Sequence, residues 1–385
     1  FTPKGITPDA ADYVAQGKVH SPLGAYKGEL YFATHSGHYK TRHELPGGKT
    51  VKPYRGGYVY AVDMKTGKGR IVAAPLHNRP VTVPLDKGVP MGGEALIATA
   101  LDAKRGQFYA LSWPSGIFVK VDCDTGKVIE YGTVQGAGVT VPRYASDADK
   151  KQRTMHPRYQ RICRTLGMDG TGNVYGSAGY GPIWKYDRRK DAIVWMQSNM
   201  KDATGDCASA DKRPHLDQWR TIVWDDREKV FYGIHWGTSW LFRFDPQADT
   251  VEPVLRWGPI DRRVKDYAQI GLALGPNHTL YGLVHAPPVK RGVQRSVHLL
   301  TLNLDDHRFQ DHGRLLGEDG NVVMFAETCE VARNGDVYAA AWMEIPKERH
   351  AEVQRLRKEG GVPEVKYIFV MSLVRVPAGN VQFAK

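Results

Sequence analysis

Lys229-Val-Phe-Tyr-Gly-Ile234 and Leu241-Phe-Arg-Phe-Asp245 are two short, aromatic-rich segments separated by a brief polar stretch. Alternation with a period of two places successive side chains on opposite faces of a sheet, so the second segment predicts a β-strand, and the first is interpreted as the strand that precedes it. The second segment ends on an aspartate that leads into a turn. Together they predict the second and third strands of a small β-sheet.

The first segment recurs six times along the chain, and each copy carries a tyrosine: Tyr31, Tyr109, Tyr175, Tyr232, Tyr281 and Tyr338. Counterparts of the second segment follow, beginning at Tyr58, Ile117, Ile183, Leu241, Leu299 and Ser372. A repeated sheet module predicts an all-β fold, a β-propeller of four-stranded blades in which residues 1–385 form a single domain. Six modules are recognisable, but 385 residues over seven blades give about 55 residues each, and seven is the favoured count.

A helical insertion is expected in the last blade. The stretch from Lys347 to Lys358 is rich in Glu, Arg, Ala and Leu, which favour helix. It lies before the third strand of that blade, within an insertion bounded at 345–362.

The composition narrows the classes of partner. No apolar stretch approaches the roughly 18 residues of a membrane span, and we expect no membrane partner. The net charge of +12 favours a polyanion, but the basic residues are scattered without a recognition motif. We therefore expect an anionic polysaccharide as the partner and not nucleic acid. We also expect the protein to be a monomer. The start at Phe1 predicts a secreted or periplasmic protein whose leader was removed.

Propellers place their sites at the mouth of the central channel, on loops and strand ends. His35 and His38 directly follow the second strand of the first module, which suits acid/base work or metal ligation. His77 lies in the insertion before the second module and is another candidate base. The alternative for each is a surface histidine without a catalytic role.

A cationic stretch precedes the third module. It contains Tyr144, Tyr159, Arg161 and Arg164, and Arg220 occupies the place equivalent to Arg164 one module later. An arginine at the channel mouth can hold a carboxylate through two parallel hydrogen bonds. The alternative is an arginine that ties neighbouring blades together through an aspartate.

Four residues suit a structural metal, although no short spacing forces them together: Cys207, His215, His235 and Cys329. Zinc or calcium is the expected ion, and the chemistry itself is expected to need no cofactor. His235 is the favoured ligand. Cys123 and Cys163 are interpreted as buried small apolar residues.

The basic, histidine, tyrosine and arginine groups suit β-elimination on a uronic acid polymer. In that reaction an arginine neutralises the uronate carboxylate, a His or Tyr removes the proton on C5, and a Tyr or His protonates the leaving oxygen on C4. Glycoside hydrolysis usually needs two carboxyl groups. No such pair stands out in these loops, although Glu94 and Glu327 keep hydrolysis open.

These motifs resemble those of the β-propeller polysaccharide lyases, most closely the seven-bladed ulvan lyases and more distantly the oligogalacturonate lyases. The matching segments are His35-Ser-Gly-His-Tyr39, Arg55-Gly-Gly-Tyr-Val-Tyr-Ala-Val-Asp63, Tyr109-Ala-Leu-Ser-Trp-Pro-Ser-Gly116, Ile162-Cys-Arg164, Trp219-Arg220 and Tyr232–Asp245. They extend over most of the chain between about Gly28 and Asp245.

The resemblance implies cleavage of a sulfated, uronate-containing algal polysaccharide, with a structural metal in some members. By motif and chain order, the arginine falls on Arg164, with Arg161 as the alternative, and the tyrosine on Tyr144, with Tyr159 as the alternative. The histidine is His38 or His77. Substrate binding is assigned to His35, Trp113, Tyr159, Arg161 and Arg220.

Two other functions stay open. A non-catalytic propeller would bind an anionic glycan through the same basic mouth. A lactonase-like metal hydrolase would need a carboxylate-lined central metal, which the sequence does not supply.

Overall fold

The computed structural model describes residues 16, 18–19, 22–35, 44–45, 49–50, 52–79, 92–134, 162–205, 217–257, 271–286, 296–318, 320–326, 328–345, 347–359 and 369–381. Six small antiparallel sheets follow one another through these ranges, and we call them blades 1 to 6. A separate hairpin of β4 (Glu44–Leu45) and β5 (Lys49–Thr50) accompanies blade 1.

Each blade orders its strands as they occur in the chain. The first strands are β1 (Lys18–Val19) with β2 (Gly24–Tyr26), β8 (Ala95–Asp102), β12 (Gly167–Met168), β16 (Trp219–Asp225), β20 (Gly271–Gly275), and β24 (Val323–Ala326) with β25 (Glu330–Val331). The second strands are β3 (Glu29–His35), β9 (Gln107–Trp113), β13 (Val174–Ser177), β17 (Val230–His235), β21 (Thr279–Ala286) and β26 (Val337–Glu344).

The third and fourth strands complete the blades. The third strands are β6 (Val59–Asp63), β10 (Ile117–Asp122), β14 (Pro182–Asp187), β18 (Trp240–Asp245), β22 (Ser296–Asn303) and β27 (Phe369–Val376). The fourth strands of blades 1 to 5 are β7 (Gly69–Ala73), β11 (Val128–Thr133), β15 (Ala192–Asn199), β19 (Thr250–Arg256) and β23 (Phe309–Arg314). In blade 6 the described residues occupy three strand positions.

The predicted all-β propeller is confirmed, and every predicted second and third strand is present. The favoured count of seven blades is not confirmed, because the described strands form six. That count rested on chain length, but many residues lie between blades and not within them. The fourth strand of blade 2 ends at Thr133, for example, and the first strand of blade 3 begins only at Gly167.

The apolar core lies between neighbouring blades. First strands of successive blades contact one another, as β12 does with β16 and β16 with β20. The ring of Tyr175 in blade 3 packs edge-on against Phe231 in blade 4, with the ring centroids 5.1 Å apart. Among the described residues, four of the five buried apolar clusters each span at least two blades. Each blade therefore buries apolar side chains against its neighbours.

Glycine follows the repeated tyrosine in three blades, and in each case an aromatic ring covers it. Gly176 lies against Trp184, Gly233 against Phe242 and Gly282 against Trp257. A methyl group at any of these positions would overlap the ring. The Tyr-Gly pair in the sequence thus marks places where a large aromatic side chain packs directly against the backbone of a strand.

Charged side chains also join the blades. Lys27 in blade 1 pairs with Asp124 in blade 2 at 2.9 Å, and Lys120 in blade 2 pairs with Asp191 in blade 3 at 2.5 Å. Ion pairs that are partly exposed to solvent add modestly to stability. These two pairs link turns and strands of neighbouring blades.

Each blade has two faces at which its strands begin or end. Because successive strands are antiparallel, first strands begin where second strands end, and we call that end the mouth face. The opposite end, where first strands turn into second strands, is the base face. Inner-strand starts and second-strand ends therefore meet at the mouth face, the predicted place for a site.

Within the predicted insertion lies α1 (His350–Glu359), which a 3₁₀ turn at Lys347–Arg349 precedes. It lies between β26 and β27, the second and third strands of blade 6. Across the described ranges, no helix has both the length and the apolar character needed to cross a membrane.

Candidate functional site

Two arginines from neighbouring blades meet at one tryptophan on the mouth face. The guanidinium carbons of Arg164 and Arg220 each lie 5.2 Å from the centroid of the Trp236 ring. Arg164 is 8% exposed, whereas Arg220 and Trp236 are half-buried. Attraction between each cation and the ring offsets part of the repulsion between the two charges. The cluster concentrates positive charge at a place that solvent still reaches.

Irregular backbone directs both arginines to this position. Arg220 is the extra residue of a β-bulge in β16, between the pairs that Trp219 and Thr221 make with β17. A bulge re-aims a side chain that regular pairing would hold on a fixed face. Arg164 lies in a bend just before β12, and the Thr165 hydroxyl donates to the Arg220 carbonyl at 3.3 Å. Both arginines therefore lie near the start of the first strand of their own blade.

A buried histidine and aspartate lie directly beside this cluster. His235 ends β17 immediately before Trp236, and its Nδ1 is 2.9 Å from the Thr238 hydroxyl. Its Nε2 is 3.5 Å from Oδ1 of Asp217, and the two side chains are 0% and 2% exposed. Within the described part of the chain, neither His235 Nε2 nor Asp217 Oδ1 has a hydrogen-bond partner. Such atoms are costly to bury without a proton or cation to share.

His35 and Trp113 end the second strands of blades 1 and 2, and their ring centroids lie 5.0 Å apart. Both side chains are buried, so each ring contacts the protein more than solvent. The structure therefore brings these two predicted substrate-binding residues together, but in a packed position. Their assignment to substrate binding stays a prediction.

His77 lies at the mouth face between blades 1 and 2. Its Nε2 is 3.0 Å from the Gly56 carbonyl oxygen, and its ring meets Tyr58 edge-on at 4.1 Å. A carbonyl oxygen only accepts hydrogen bonds, so this contact favours a proton on Nε2 and directs any basic function to Nδ1. Its role as base stays a prediction.

Glu94 anchors a turn of blade 2. One carboxylate oxygen accepts hydrogen bonds from the Ser112 hydroxyl at 3.1 Å and from the Ser115 amide at 3.0 Å, and the other accepts from the Ser115 hydroxyl. The side chain is 1% exposed. A carboxylate held in this way is poorly placed to protonate a glycosidic oxygen.

The remaining predicted site residues lie outside the described residues: His38, Tyr144, Tyr159, Arg161, Cys207, His215 and Glu327. Of the predicted metal ligands, His235 and Cys329 are described, in blades 4 and 6. Among described residues, neither belongs to a group of three residues that could share one ion.

The described cysteines are buried, as predicted for Cys123 and Cys163, and none forms a disulfide. Burial raises the pKa of the Cys163 thiol, next to Arg164, to about 12. A thiol with so high a pKa is protonated at neutral pH. Cys163 is therefore a packing residue at the mouth face and not a nucleophile.

Trp236 and Asp217 were not singled out from the sequence. Trp236 follows a strand end in a loop with no periodic pattern. Asp217 precedes β16 as an isolated acid. Once the repeat is aligned, however, Trp236 is four residues after the blade tyrosine Tyr232, as Trp113 is after Tyr109. That alignment is the signal that would have identified it.

No protein-family model and no curated protein matches the chain. Among solved structures, a hydrazine synthase from Kuenenia stuttgartiensis aligns with a TM-score of 0.53 and 12% identity, over 97% of this chain and 90% of that chain. A protein of unknown function from Bacteroides thetaiotaomicron gives a TM-score of 0.44 and 10% identity, over 84% and 67% of the two chains. A chain of a nidogen/laminin complex gives 0.43 and 10%, over 74% and 82%. Similarity at these identities concerns the fold alone.

Proposed function

We propose that the mouth face binds an anionic, uronate-containing polysaccharide of the sulfated ulvan type and cleaves it by β-elimination. The single observation that carries the proposal is the convergence of Arg164 and Arg220 on Trp236. Two cations beside one aromatic ring offer a carboxylate or sulfate a charged contact and a sugar ring an apolar surface. A polymeric substrate of this kind places the protein outside the cytoplasm, where we expect it to act as a monomer.

Arg164 and Arg220 are assigned to the substrate carboxylate. Neutralising that charge makes the proton on C5 easier to remove, because the developing negative charge is shared with the carboxyl group. A base takes the C5 proton, the electron pair forms the C4–C5 double bond, and the C4–O bond breaks as an acid protonates the departing oxygen. His38, His77 and Tyr144 are assigned to the base and acid roles.

We assign two ligands of the predicted structural metal to the buried pair next to this cluster. His235 Nε2 and Asp217 Oδ1 lie 3.5 Å apart without another partner in the described ranges, and imidazole nitrogen and carboxylate oxygen both bind zinc. These two residues would hold the ion. The ion would tie the end of β17, next to Trp236, to the residue that precedes β16. Metal analysis of the purified protein and of a His235→Gln variant tests this, and equal metal content in both would contradict it.

Ultraviolet absorbance of the new conjugated double bond tests the proposed reaction. Ulvan, alginate, pectin and glycosaminoglycans are incubated separately with the protein, and we expect absorbance to rise with ulvan. Arg164→Ala should lower kcat by about a hundredfold or more, as loss of one charge-stabilising group does in other enzymes. Arg189→Ala is the matched control, because Arg189 is exposed at the base face of the same blade.

The non-catalytic alternative gives a different result in the same experiment. A glycan-binding propeller would retain ulvan in a binding assay but produce no absorbance change with any polymer. Binding without turnover would therefore replace the lyase proposal with the binding proposal, and absence of both binding and turnover would contradict both.

A further inference from the structure

Away from the mouth face, one cluster of potential metal ligands joins blades 4 and 5. Asp225 is the last residue of β16, and Glu228 lies in the turn that follows it. His278 ends the 3₁₀ turn Pro276–His278 between β20 and β21. These are the turns between first and second strands of adjacent blades, so the cluster lies at the base face.

The ring of His278 is held from both sides by acidic groups. Its Nε2 is 2.6 Å from Oδ2 of Asp225 and 3.6 Å from Oε1 of Glu228. Its Nδ1 is 2.7 Å from Oδ1 of Asp305, which follows the third strand of blade 5. Arg227 also pairs with Asp305, at 2.8 Å, and so sits on the Nδ1 side of the ring.

This arrangement brings three electron-rich atoms to one point. When Nδ1 carries the proton and donates it to Asp305, the lone pair of Nε2 faces the carboxylate oxygens of Asp225 and Glu228. Three such atoms lie near one another only if a cation, either a proton or a metal ion, sits among them. In the described part of the chain this is the one group of three His, Cys, Asp or Glu ligand atoms within 4.8 Å of one another.

The surroundings of the three atoms are those of a metal site. A metal-binding histidine usually donates its other ring N–H to a carboxylate, as Nδ1 of His278 can to Asp305. The second oxygen of Glu228 accepts a hydrogen bond from the Tyr232 hydroxyl at 3.1 Å, which leaves Oε1 directed at the cluster. The side chain of Asp225 is 2% exposed, whereas that of Glu228 is 32% exposed and leaves a path for an ion to enter.

We propose that Asp225, Glu228 and His278 form a binding site for a divalent cation that joins blades 4 and 5 at the base face. One imidazole and two carboxylates suit zinc, with water in the fourth position. The site is independent of the proposed function, because it uses none of the mouth residues. Its role is structural: the ion would hold together two turns that belong to different blades.

Zinc binding to the full chain tests the proposal. The protein is first stripped with a chelator that is then removed, and Zn²⁺ is titrated at neutral pH by calorimetry and followed by Tm. We expect a saturable site whose occupation raises Tm, since a ligand that binds the folded state stabilises it. His278→Gln should abolish that site. His298→Gln is the matched control, because His298 pairs with Asp311 at 3.0 Å in the same blade but lies outside the cluster.

Two further variants keep the test decisive. Glu228→Gln changes a partly exposed ligand and should leave the fold intact, and we expect zinc affinity to fall at least about tenfold. His235→Gln separates this site from the metal proposed at the mouth face and should retain the base-face binding. Unchanged zinc stoichiometry and affinity in His278→Gln and Glu228→Gln would overturn the proposal and leave a proton as the cation at His278.

Discussion

Lys120 in blade 2 and Asp191 in blade 3 form an ion pair across the boundary between the blades, with Nζ 2.5 Å from Oδ1. The hydroxyls of Tyr131 and Tyr186 donate to the same carboxylate oxygen, each at 2.5 Å. The hydrogen bond from Lys120, followed by those from Tyr131 and Tyr186, holds the pKa of Asp191 well below its usual range. One carboxylate thus collects three donors from two blades.

Asp191 should make stability depend on acidity. Its folded-state pKa lies below the unfolded value of about 3.9, so its contribution is fully present above that pH and is lost as the pH falls through the folded pKa. Asp191→Asn should therefore lower the free energy of unfolding at pH 7, and its deficit relative to the wild type should shrink at acid pH. Denaturant unfolding across a pH series measures this. Asp202→Asn, at an exposed site, is the control, and a deficit that does not vary with pH would contradict the prediction.

Gly233→Ala should destabilise the propeller. The added methyl group would overlap the ring of Phe242, and overpacking of this kind costs about 1–3 kcal/mol. Chemical denaturation measures the change, with Gly379→Ala as the control because nothing lies within 4 Å of a methyl group there. Equal stability of the two variants would show that the ring of Phe242 can move aside.

Trp236→Leu should weaken binding of the anionic polysaccharide. It removes the ring that positions both Arg164 and Arg220 and the apolar surface proposed for a sugar ring. Truncating an aromatic contact residue at a cost of about 1–2 kcal/mol corresponds to a loss of about five- to thirtyfold in affinity. Trp236→Phe keeps a ring and should lose less. Binding of fluorescently labelled ulvan measures both, and equal affinities for Leu and Phe would argue against a role for the ring.

Glu94→Gln should lower the stability of the protein without lowering kcat. The side-chain oxygen of the variant can still accept from the Ser112 hydroxyl and the Ser115 amide, while its NH2 group would face the Ser115 hydroxyl, which must turn to accept. Replacing a charged acceptor with a neutral one should lower the free energy of unfolding by about 1 kcal/mol. If the reaction is elimination, kcat for the folded variant should equal that of the wild type. Glu252→Gln, on the outer strand β19, controls for the substitution itself. Loss of turnover without loss of folded protein would revive hydrolysis.

The fold could be predicted from the sequence because its signal is local and repeated. Every blade tyrosine lies in a short segment of similar sequence that recurs in each module, and such a segment is recognisable within six residues. The blade count could not be predicted, since chain length does not tell how many residues lie between strands. Arg164 and Arg220 were found because they occupy the same place in successive modules.

The rest of the candidate site depends on contacts between modules. His278 and Asp225 are 53 positions apart, in turns of two different blades, and no spacing rule connects them. Asp217 and His235 meet only because β16 and β17 pair side by side. Residues of this kind can be found from sequence only after the blades have been aligned on one another.

The buried thiols have a use that their packing role does not suggest. Cys123, Cys163 and Cys329 belong to blades 2, 3 and 6, and all three are free and buried. A thiol reagent reaches each one only when its own segment opens, so the three labelling rates measure local opening at three points around the ring. The protein therefore carries native probes with which the order of blade opening can be timed under conditions where the whole remains folded.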